Sequence, residues 1–102
     1  MSAPPFTLLY QPEAEKILID LRSKQQFATK FRKVRKALRL LEQAGPRHPG
    51  PHSHDYRSIP GPGGVTLWES YVENKTPSAW RIWWFYGPQD GEITIVTIGP
   101  HP

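Results

Sequence analysis

The sequence predicts an α+β fold in which two helices pack on one face of a mainly antiparallel β-sheet. Two helical segments in the first half of the chain are followed by three runs rich in β-branched and aromatic residues, at 65–72, 80–86 and 92–98. The breaks between these runs contain the Pro, Gly and Asx residues that turns require, so the runs form an antiparallel meander. Helices that precede a meander bury their apolar stripes against it.

The N-terminal half contributes one short strand, residues 6–10, and then two helices. Pro12 lies in the first turn of the first helix, where an N–H group would have no intrahelical partner. The apolar residues on one face of this helix are Ala14, Ile17, Leu18 and Leu21. The apolar stripe of the second helix is Phe27, Phe31, Val34, Leu38 and Leu41. Gly45-Pro46 is a strong signal for the end of the second helix.

A chain of 102 residues without cysteine suits one domain, residues 1–102, with neither a disulfide framework nor a thiolate metal site. No apolar run approaches the roughly 20 residues of a membrane span, and the N-terminus lacks the pattern of a signal peptide. We therefore expect a soluble, cytoplasmic protein that does not interact with membranes.

Positive charge is concentrated on the second helix and its flanks. Nine of the 13 Lys and Arg residues lie between Arg22 and Arg47, and the only acidic residue there is Glu42. Such a surface attracts a phosphate polymer or an acidic protein, although a solvated helix face has the same composition. The candidate binding residues of this helix are Lys30, Lys33, Arg35, Lys36 and Arg39. Arg47 and Arg57 are further candidates for contacts with a phosphate.

The segment 45–64 is rich in Gly, Pro and His. Ten of its 20 residues are Gly or Pro, and it contains His48, His52 and His54. Long irregular segments in compact domains are often functional. The histidines are candidates for acid–base catalysis, for a metal site shared with His101, or for simple hydrogen bonds to the backbone. Because their spacing is not specific for a metal, we expect no metal ion and no other cofactor.

Strand alternation divides the side chains of the meander between two faces. Those expected to face the helices are Trp68, Val72, Ile82 and Trp84. Glu69, Tyr71, Arg81 and Trp83 are then left on the open face. Arg81 is either a cross-strand partner of Glu69 or a cation that stabilises a phosphate group. Tyr71 and Trp83 beside this cation would allow RNA bases to stack, unless the Gly/Pro-rich segment covers Trp83.

The order strand, helix, basic helix and loop, followed by Leu67-Trp68-Glu69 and Ala79-Trp80-Arg81-Ile82 before a last strand, resembles the RelE/ParE superfamily of bacterial toxin–antitoxin toxins. The resemblance covers roughly residues 6–102. RelE-like members cleave messenger RNA on the ribosome without a metal ion, whereas ParE-like members poison DNA gyrase. The resemblance implies an antitoxin protein as a partner and, for a RelE-like toxin, the ribosome and its messenger RNA.

The same resemblance implies roles for two residues. Arg81 matches the strand arginine that contacts the scissile phosphate in nuclease members, and His101 lies where some of them have a C-terminal catalytic histidine. Cleavage needs a base for the ribose 2′-OH, a cation, and an acid for the leaving 5′-oxygen. We assign His54 or Glu69 as the base, Arg81 as the cation and His101 as the acid. Because a gyrase poison needs no acid–base pair, RNA cleavage is expected ahead of gyrase inhibition or a non-catalytic RNA- or protein-binding role.

Overall fold

The computed structural model describes residues 5–47, 50–51, 53–56, 60–74, 76 and 78–101. Its helices and strands are β1 (Thr7–Tyr10), α1 (Pro12–Ser23), α2 (Ala28–Ala44), β2 (His54–Asp55), β3 (Trp68–Tyr71), β4 (Trp80–Tyr86) and β5 (Glu92–Pro100). The strands form one sheet in the order β1-β5-β4-β3-β2. β1 runs parallel to β5, and the other neighbouring strands are antiparallel. The predicted α+β class and C-terminal meander are confirmed.

Both helices cover one face of the sheet. The buried residues of this core are Ala14, Leu21, Val34, Ala37, Leu38, Leu41, Ile82, Trp84, Ile93, Ile95 and Ile98. Trp68, Val72 and the remaining residues of the two predicted helix stripes are partly buried at the margin of the core. The structure therefore agrees with the predicted core face of the meander. None of the helices in the described part of the chain is both long enough and apolar enough to span a membrane.

Helix α2 ends where the sequence predicts. Gly45 has a positive φ of 59°, and its N–H donates to the carbonyl of Leu41. A Cβ atom at this position would lie 2.9 Å from the ring of Phe6, just before β1. Glycine is therefore required both by the backbone conformation and by the close approach of β1 to the end of the helix.

A β-bulge in β5 determines which of its side chains reach the open face. Trp83 is opposite Thr97, but Trp84 is opposite Ile95, so Val96 is the extra residue. A bulge of one residue reverses the alternation of the strand beyond it. Ile95 and Ile98 consequently both face the core, although they are three residues apart. Without the bulge, each residue after Val96 would point to the other face of the sheet, and Ile98 would point away from the core.

Three strands differ from their predicted extents: β1 begins at Thr7 rather than at residue 6, β3 is shorter than 65–72, and β5 extends to Pro100 rather than ending at residue 98. β3 begins at Trp68 rather than at Val65, because β2 pairs with only two of its residues and leaves the preceding segment without a partner strand. Strand β2 consists of only two residues, His54 and Asp55. Residues 57–59 lie outside the described part of the chain.

Ser70 supports the core from β3. Its fully buried Oγ accepts a hydrogen bond from Nε1 of Trp84 at 2.8 Å and lies 2.6 Å from Oγ of Ser53. We expect Ser70→Ala to lower the free energy of unfolding by about 1–2 kcal/mol, because the indole N–H would remain buried without an acceptor. Urea denaturation measures this change. Ser23→Ala removes an exposed hydroxyl at the end of α1 and is the control. Equal midpoints for the two variants would contradict the role of Ser70.

Candidate active site

Four charged or titratable side chains meet on the open face of the sheet, opposite the helices. They are His54, Glu69, Arg81 and His101, and we refer to them as the Glu69 cluster. Glu69 is only 3% exposed. His54 Nε2 lies 3.0 Å from its Oε1 and His101 Nε2 lies 3.7 Å from its Oε2. Arg81 Nε lies 3.9 Å from Oε1. Of the four residues proposed from the sequence as catalytic, three therefore surround the buried carboxylate of the fourth, Glu69.

The pairing of the strands brings the first three members together. Glu69 on β3 is directly opposite His54 on β2. Two residues further along β3, Tyr71 is directly opposite Arg81 on β4. Residues opposite each other in an antiparallel pair point to the same face. Short strand β2 is thus what places an imidazole beside the carboxylate of Glu69.

His101 reaches the cluster from the end of β5. Beyond the bulge, Gly99 is opposite Arg81, so alternation turns His101 to the open face as well. The backbone N–H of His101 donates to the carbonyl of Ala79 at 3.0 Å and holds the chain alongside the start of β4. The bulge at Val96 is therefore a structural requirement for the contact between His101 and Glu69.

Arg81 is held rigidly at the floor of the cluster. Its Nη1 donates to the carbonyls of Glu73 at 2.6 Å and of Trp80 at 3.1 Å. The guanidinium carbon lies 3.7 Å from the ring centroid of Tyr71, which is a close cation–π contact. Nε of Arg81 is buried and has no hydrogen-bond partner within the described residues. The guanidinium is thus a fixed cation whose buried Nε–H has no acceptor among the described residues.

The cluster has a buried floor and an exposed rim. The side chains of His54 and His101 are each 44% exposed, whereas those of Glu69 and Arg81 are 3% and 11% exposed. Oε2 of Glu69 also has no hydrogen-bond partner among the described residues, since His101 is beyond hydrogen-bond distance. Buried polar groups of this kind are normally satisfied. The two imidazoles are therefore the solvent-accessible part of the cluster, and the carboxylate and the guanidinium lie beneath them.

The stacking role expected for Trp83 is not compatible with its position. Trp83 is 8% exposed, and Tyr56 packs edge-to-face against it with 6.1 Å between ring centroids. The segment between α2 and β3 therefore covers its ring, which was the alternative considered above. Tyr71 is partly exposed, but its ring already contacts Arg81 and, edge-to-face at 5.6 Å, His54. We therefore assign Tyr71 mainly to holding these two side chains.

Glu73 connects the basic helix to Arg81. Its carboxylate lies 2.5 Å from Nζ of Lys30 and 3.3 Å from Nζ of Lys33, and it accepts the N–H of Trp80 at 3.2 Å. Its carbonyl is the acceptor for Arg81. Sequence reasoning missed Glu73; the available signal was a lone acidic residue in a turn followed by Trp80-Arg81. Lys30 and Lys33 thus have a structural role in addition to any contact with a ligand.

The pKa of Glu73 is lowered. Burial alone would raise it, but the hydrogen bonds from Lys30, from the backbone of Trp80 and from Lys33 together outweigh burial. Because the folded protein binds this proton less tightly than the unfolded chain does, Glu73 stabilises the fold above the unfolded pKa of roughly 4.3. That stabilisation is lost as the pH falls through the lower folded pKa.

We expect Glu73→Gln to lower the free energy of unfolding by about 1–2 kcal/mol at pH 7, where a charge-assisted hydrogen-bond pair is removed. The difference from the unsubstituted protein should shrink as the pH is lowered below about 4, because protonated Glu73 resembles Gln. Chemical denaturation at pH 7 and at pH 3.5 measures both values. A difference that does not depend on pH would contradict the ion-pair account.

The other basic candidates do not form one continuous surface. Lys33 and Lys36 lie on the flank of α2 next to β3, whereas Arg35 and Arg39 lie on the flank next to β1, beside Tyr10. Burial raises the pKa of Tyr10, Glu42 raises it further, and Arg35 opposes both. The positive charge of α2 is therefore divided between two sides of the helix.

Arg47 lies near Tyr86. Tyr86 is the last residue of β4, whereas Arg81 of the Glu69 cluster is near the start of that strand. Burial raises the pKa of Tyr86, and the charge of Arg47 partly offsets this effect. Arg57 lies outside the described part of the chain. The described part of the chain therefore gives Arg47 no contact with the Glu69 cluster.

No group of three or more His, Cys, Asp or Glu side chains suited to a metal ion occurs among the described residues. His48 and His52, two of the histidines considered as ligands, lie outside them.

Comparison with known structures identifies the fold. The RelE–RelB complex of Pyrococcus horikoshii OT3 matches with a TM-score of 0.63 at 14% identity, over 94% of each chain. The YoeB dimer of Staphylococcus aureus matches with a TM-score of 0.68 at 10% identity, over 96% of this chain and 99% of that one. A YoeB/ParE toxin of Agrobacterium tumefaciens matches with a TM-score of 0.68 at 9% identity, over 95% and 100%.

The chain has the fold of these RelE and YoeB/ParE structures, which is the fold that the order of its helices and strands predicted. No protein-family model matches the sequence, and no curated protein matches it either. Sequence identities this low show a shared fold but not a shared function. The chemistry of this protein therefore depends on the side chains of the Glu69 cluster.

Proposed function

We propose that the protein is the toxin of a toxin–antitoxin system and acts as a metal-independent, ribosome-associated endoribonuclease that inhibits translation. The observation that carries this proposal is the Glu69 cluster, in which a buried carboxylate contacts two exposed histidines next to a fixed arginine. Cleavage of RNA through its own 2′-OH requires a base, a phosphate-binding cation and an acid, and the cluster has a candidate for each.

The base is the pair formed by His54 and Glu69. Their contact of 3.0 Å allows a proton taken from the ribose 2′-OH to be shared between imidazole and carboxylate, so the two act as one coupled unit. His54 is the exposed member and meets the substrate first. Glu69, almost fully buried, orients the imidazole and stabilises the positive charge that it gains.

Arg81 and His101 complete the reaction. The deprotonated 2′-oxygen forms a bond to phosphorus while the bond from phosphorus to the 5′-oxygen breaks, and a 2′,3′-cyclic phosphate results. Arg81 stabilises the additional negative charge on the phosphate through a guanidinium that needs no rearrangement. His101, on the other oxygen of Glu69, donates the proton that the leaving 5′-oxygen requires. The products are the cyclic phosphate and a free 5′-hydroxyl.

The partners follow from the same proposal. The Pyrococcus relative was solved as a RelE–RelB complex, and we infer that a cognate antitoxin binds this protein too. The substrate is messenger RNA on the cytoplasmic ribosome. The exposed lysines of α2 fit such a partner, because ribosomal RNA presents a dense array of phosphates.

The test is induced expression in a bacterial host, followed by measurement of growth, messenger-RNA integrity and plasmid supercoiling. The proposal predicts growth arrest accompanied by cuts within translated messenger RNA. Growth arrest with intact messenger RNA and altered supercoiling would instead indicate gyrase inhibition. Normal growth at high protein levels would indicate a non-catalytic binding module.

A further inference from the structure

A groove with a volume of about 340 Å³ runs along the edge of the sheet between α2 and the end of β3. Its volume is in the range of small-ligand sites and suits a nucleotide unit. The polar residues that line it are Lys33, Lys36, Tyr71, Glu73, Asn74 and Thr76. On the outer side of the groove, the carbonyl of Pro51 accepts a hydrogen bond from the N–H of Tyr71. The backbone of β3 is therefore already hydrogen-bonded at this point and cannot pair with another strand in the groove.

The groove borders the Glu69 cluster through Tyr71 and Glu73, although none of the four cluster residues lines it. Tyr71 lines the groove, and the same side chain carries the guanidinium of Arg81 on its ring and touches the ring of His54. Glu73, a second lining residue, holds Arg81 through its carbonyl. An extended chain that places one phosphate at Arg81 can therefore continue past Tyr71 into the groove.

The charge of the groove favours a polyanion. Among the described residues that line it, Glu73 is the single acidic side chain, and Lys30 forms an ion pair with this carboxylate. The side chain of Lys33 is 51% exposed, and Lys36 is also exposed. Positive charge thus exceeds negative charge where the groove opens to solvent, and Asn74 and Thr76 add neutral hydrogen-bonding groups.

We propose that this groove binds the phosphate backbone of the RNA strand adjacent to the nucleotide held at Arg81. The inference rests on the proposed function and adds the path of the substrate to it. Arg35 and Arg39, which line a different groove with Tyr10 and Glu42 next to β1, lie outside that path. The two flanks of one basic helix therefore have different roles.

The experiment measures binding of fluorescein-labelled 2′-O-methyl RNA, which cannot be cleaved through a 2′-OH, by fluorescence anisotropy across a salt series. An octanucleotide spans the cluster and the groove, whereas a dinucleotide reaches the cluster alone. Lys36→Gln is the test variant. Arg39→Gln is the matched control, because it removes the same charge from an exposed position on the other flank of the same helix.

We expect Lys36→Gln to weaken octanucleotide binding about three- to tenfold at low salt and to reduce the slope of log K against log salt by about 0.7, the value for one phosphate contact on a single strand. Dinucleotide binding should not change, and Arg39→Gln should leave both unchanged. Equal losses in the two variants, or no loss in either, would overturn the proposal. A deca-glutamate peptide is the probe for a different occupant. If it binds more tightly than the octanucleotide and this binding depends on Lys36, the proposal is overturned and the groove is a site for an acidic protein segment.

The same protein is tested in parallel for cleavage of unmodified RNA. If octanucleotide binding depends on Lys36 but no RNA is cleaved, the groove inference stands and the proposed nuclease activity fails. If RNA is cleaved but binding is insensitive to Lys36, the nuclease proposal stands and the groove inference fails.

Discussion

Arg81→Ala is expected to abolish growth arrest and to reduce the rate of RNA cleavage about 100- to 1,000-fold, equivalent to roughly 3–4 kcal/mol of transition-state stabilisation. The reason is geometric. Two backbone carbonyls and the ring of Tyr71 hold the guanidinium in place, so its charge is available without reorganisation. Single-turnover cleavage of a ribosome-bound messenger RNA measures the rate.

The folding of this variant has to be checked, because Arg81 also lies near the buried carboxylate of Glu69. Arg81→Lys keeps the charge but loses the planar guanidinium whose Nη1 donates to both carbonyls, and we expect it to fold and to remain severely impaired. Arg32→Ala removes an exposed arginine of α2 and should remain toxic. Full toxicity of a folded Arg81→Ala protein would remove Arg81 from the site.

Glu69→Gln has the second largest expected effect. The substitution keeps the size of the side chain but removes the charge that orients His54 and His101. Loss of general base catalysis reduces rates by about 100- to 10,000-fold, and we expect a loss in that range with little change in RNA binding. When kcat and KM are measured separately, we expect kcat to decrease and KM to change little.

Ser70→Ala is the matched control for Glu69→Gln, since Ser70 is the next residue of β3 but points to the core. It should be less stable and yet fully active at temperatures where it is folded. A Glu69→Gln protein with an unchanged kcat would show that the carboxylate only stabilises the fold. The His54–Glu69 pair would then not be the base.

Most of the fold could be predicted from the sequence because its signals are local. The apolar stripes of α1 and α2, Gly45 at the end of α2 and the alternation around Ile82 and Trp84 each depend on a few neighbouring residues. The parallel pairing of β1 with β5 could not be predicted. It depends on contacts between residues about 85 positions apart, for which a single sequence has no signal.

The members of the candidate site could be proposed from their chemistry, but their arrangement could not. Simple alternation from Ile93 and Ile95 would place His101 on the core face, and only the bulge at Val96 brings it to Glu69. The spacing of Ile95 and Ile98 was the available signal for that bulge. The position of His54 beside Glu69 depends on the two-residue strand β2, and a strand that short has no periodicity.

Amino-acid composition could not predict which basic residues of α2 share a surface. Its lysines and arginines look equivalent in the sequence, yet Lys30 and Lys33 pair with Glu73, and Arg39 lies on the flank next to β1. These differences arise from tertiary contacts with the turn after β3 and with β1. Charge density alone therefore predicted a binding surface without predicting its boundaries.

The chemical identity of the ends of cleaved RNA tests the central claim most directly. The purified protein is incubated with translating ribosomes in the presence of a chelator, and the ends of the messenger-RNA fragments are determined by enzymatic end labelling. The Glu69 cluster predicts fragments with 2′,3′-cyclic phosphates and 5′-hydroxyls. Fragments with 5′-phosphates and 3′-hydroxyls, or messenger RNA that remains uncut, would contradict this account.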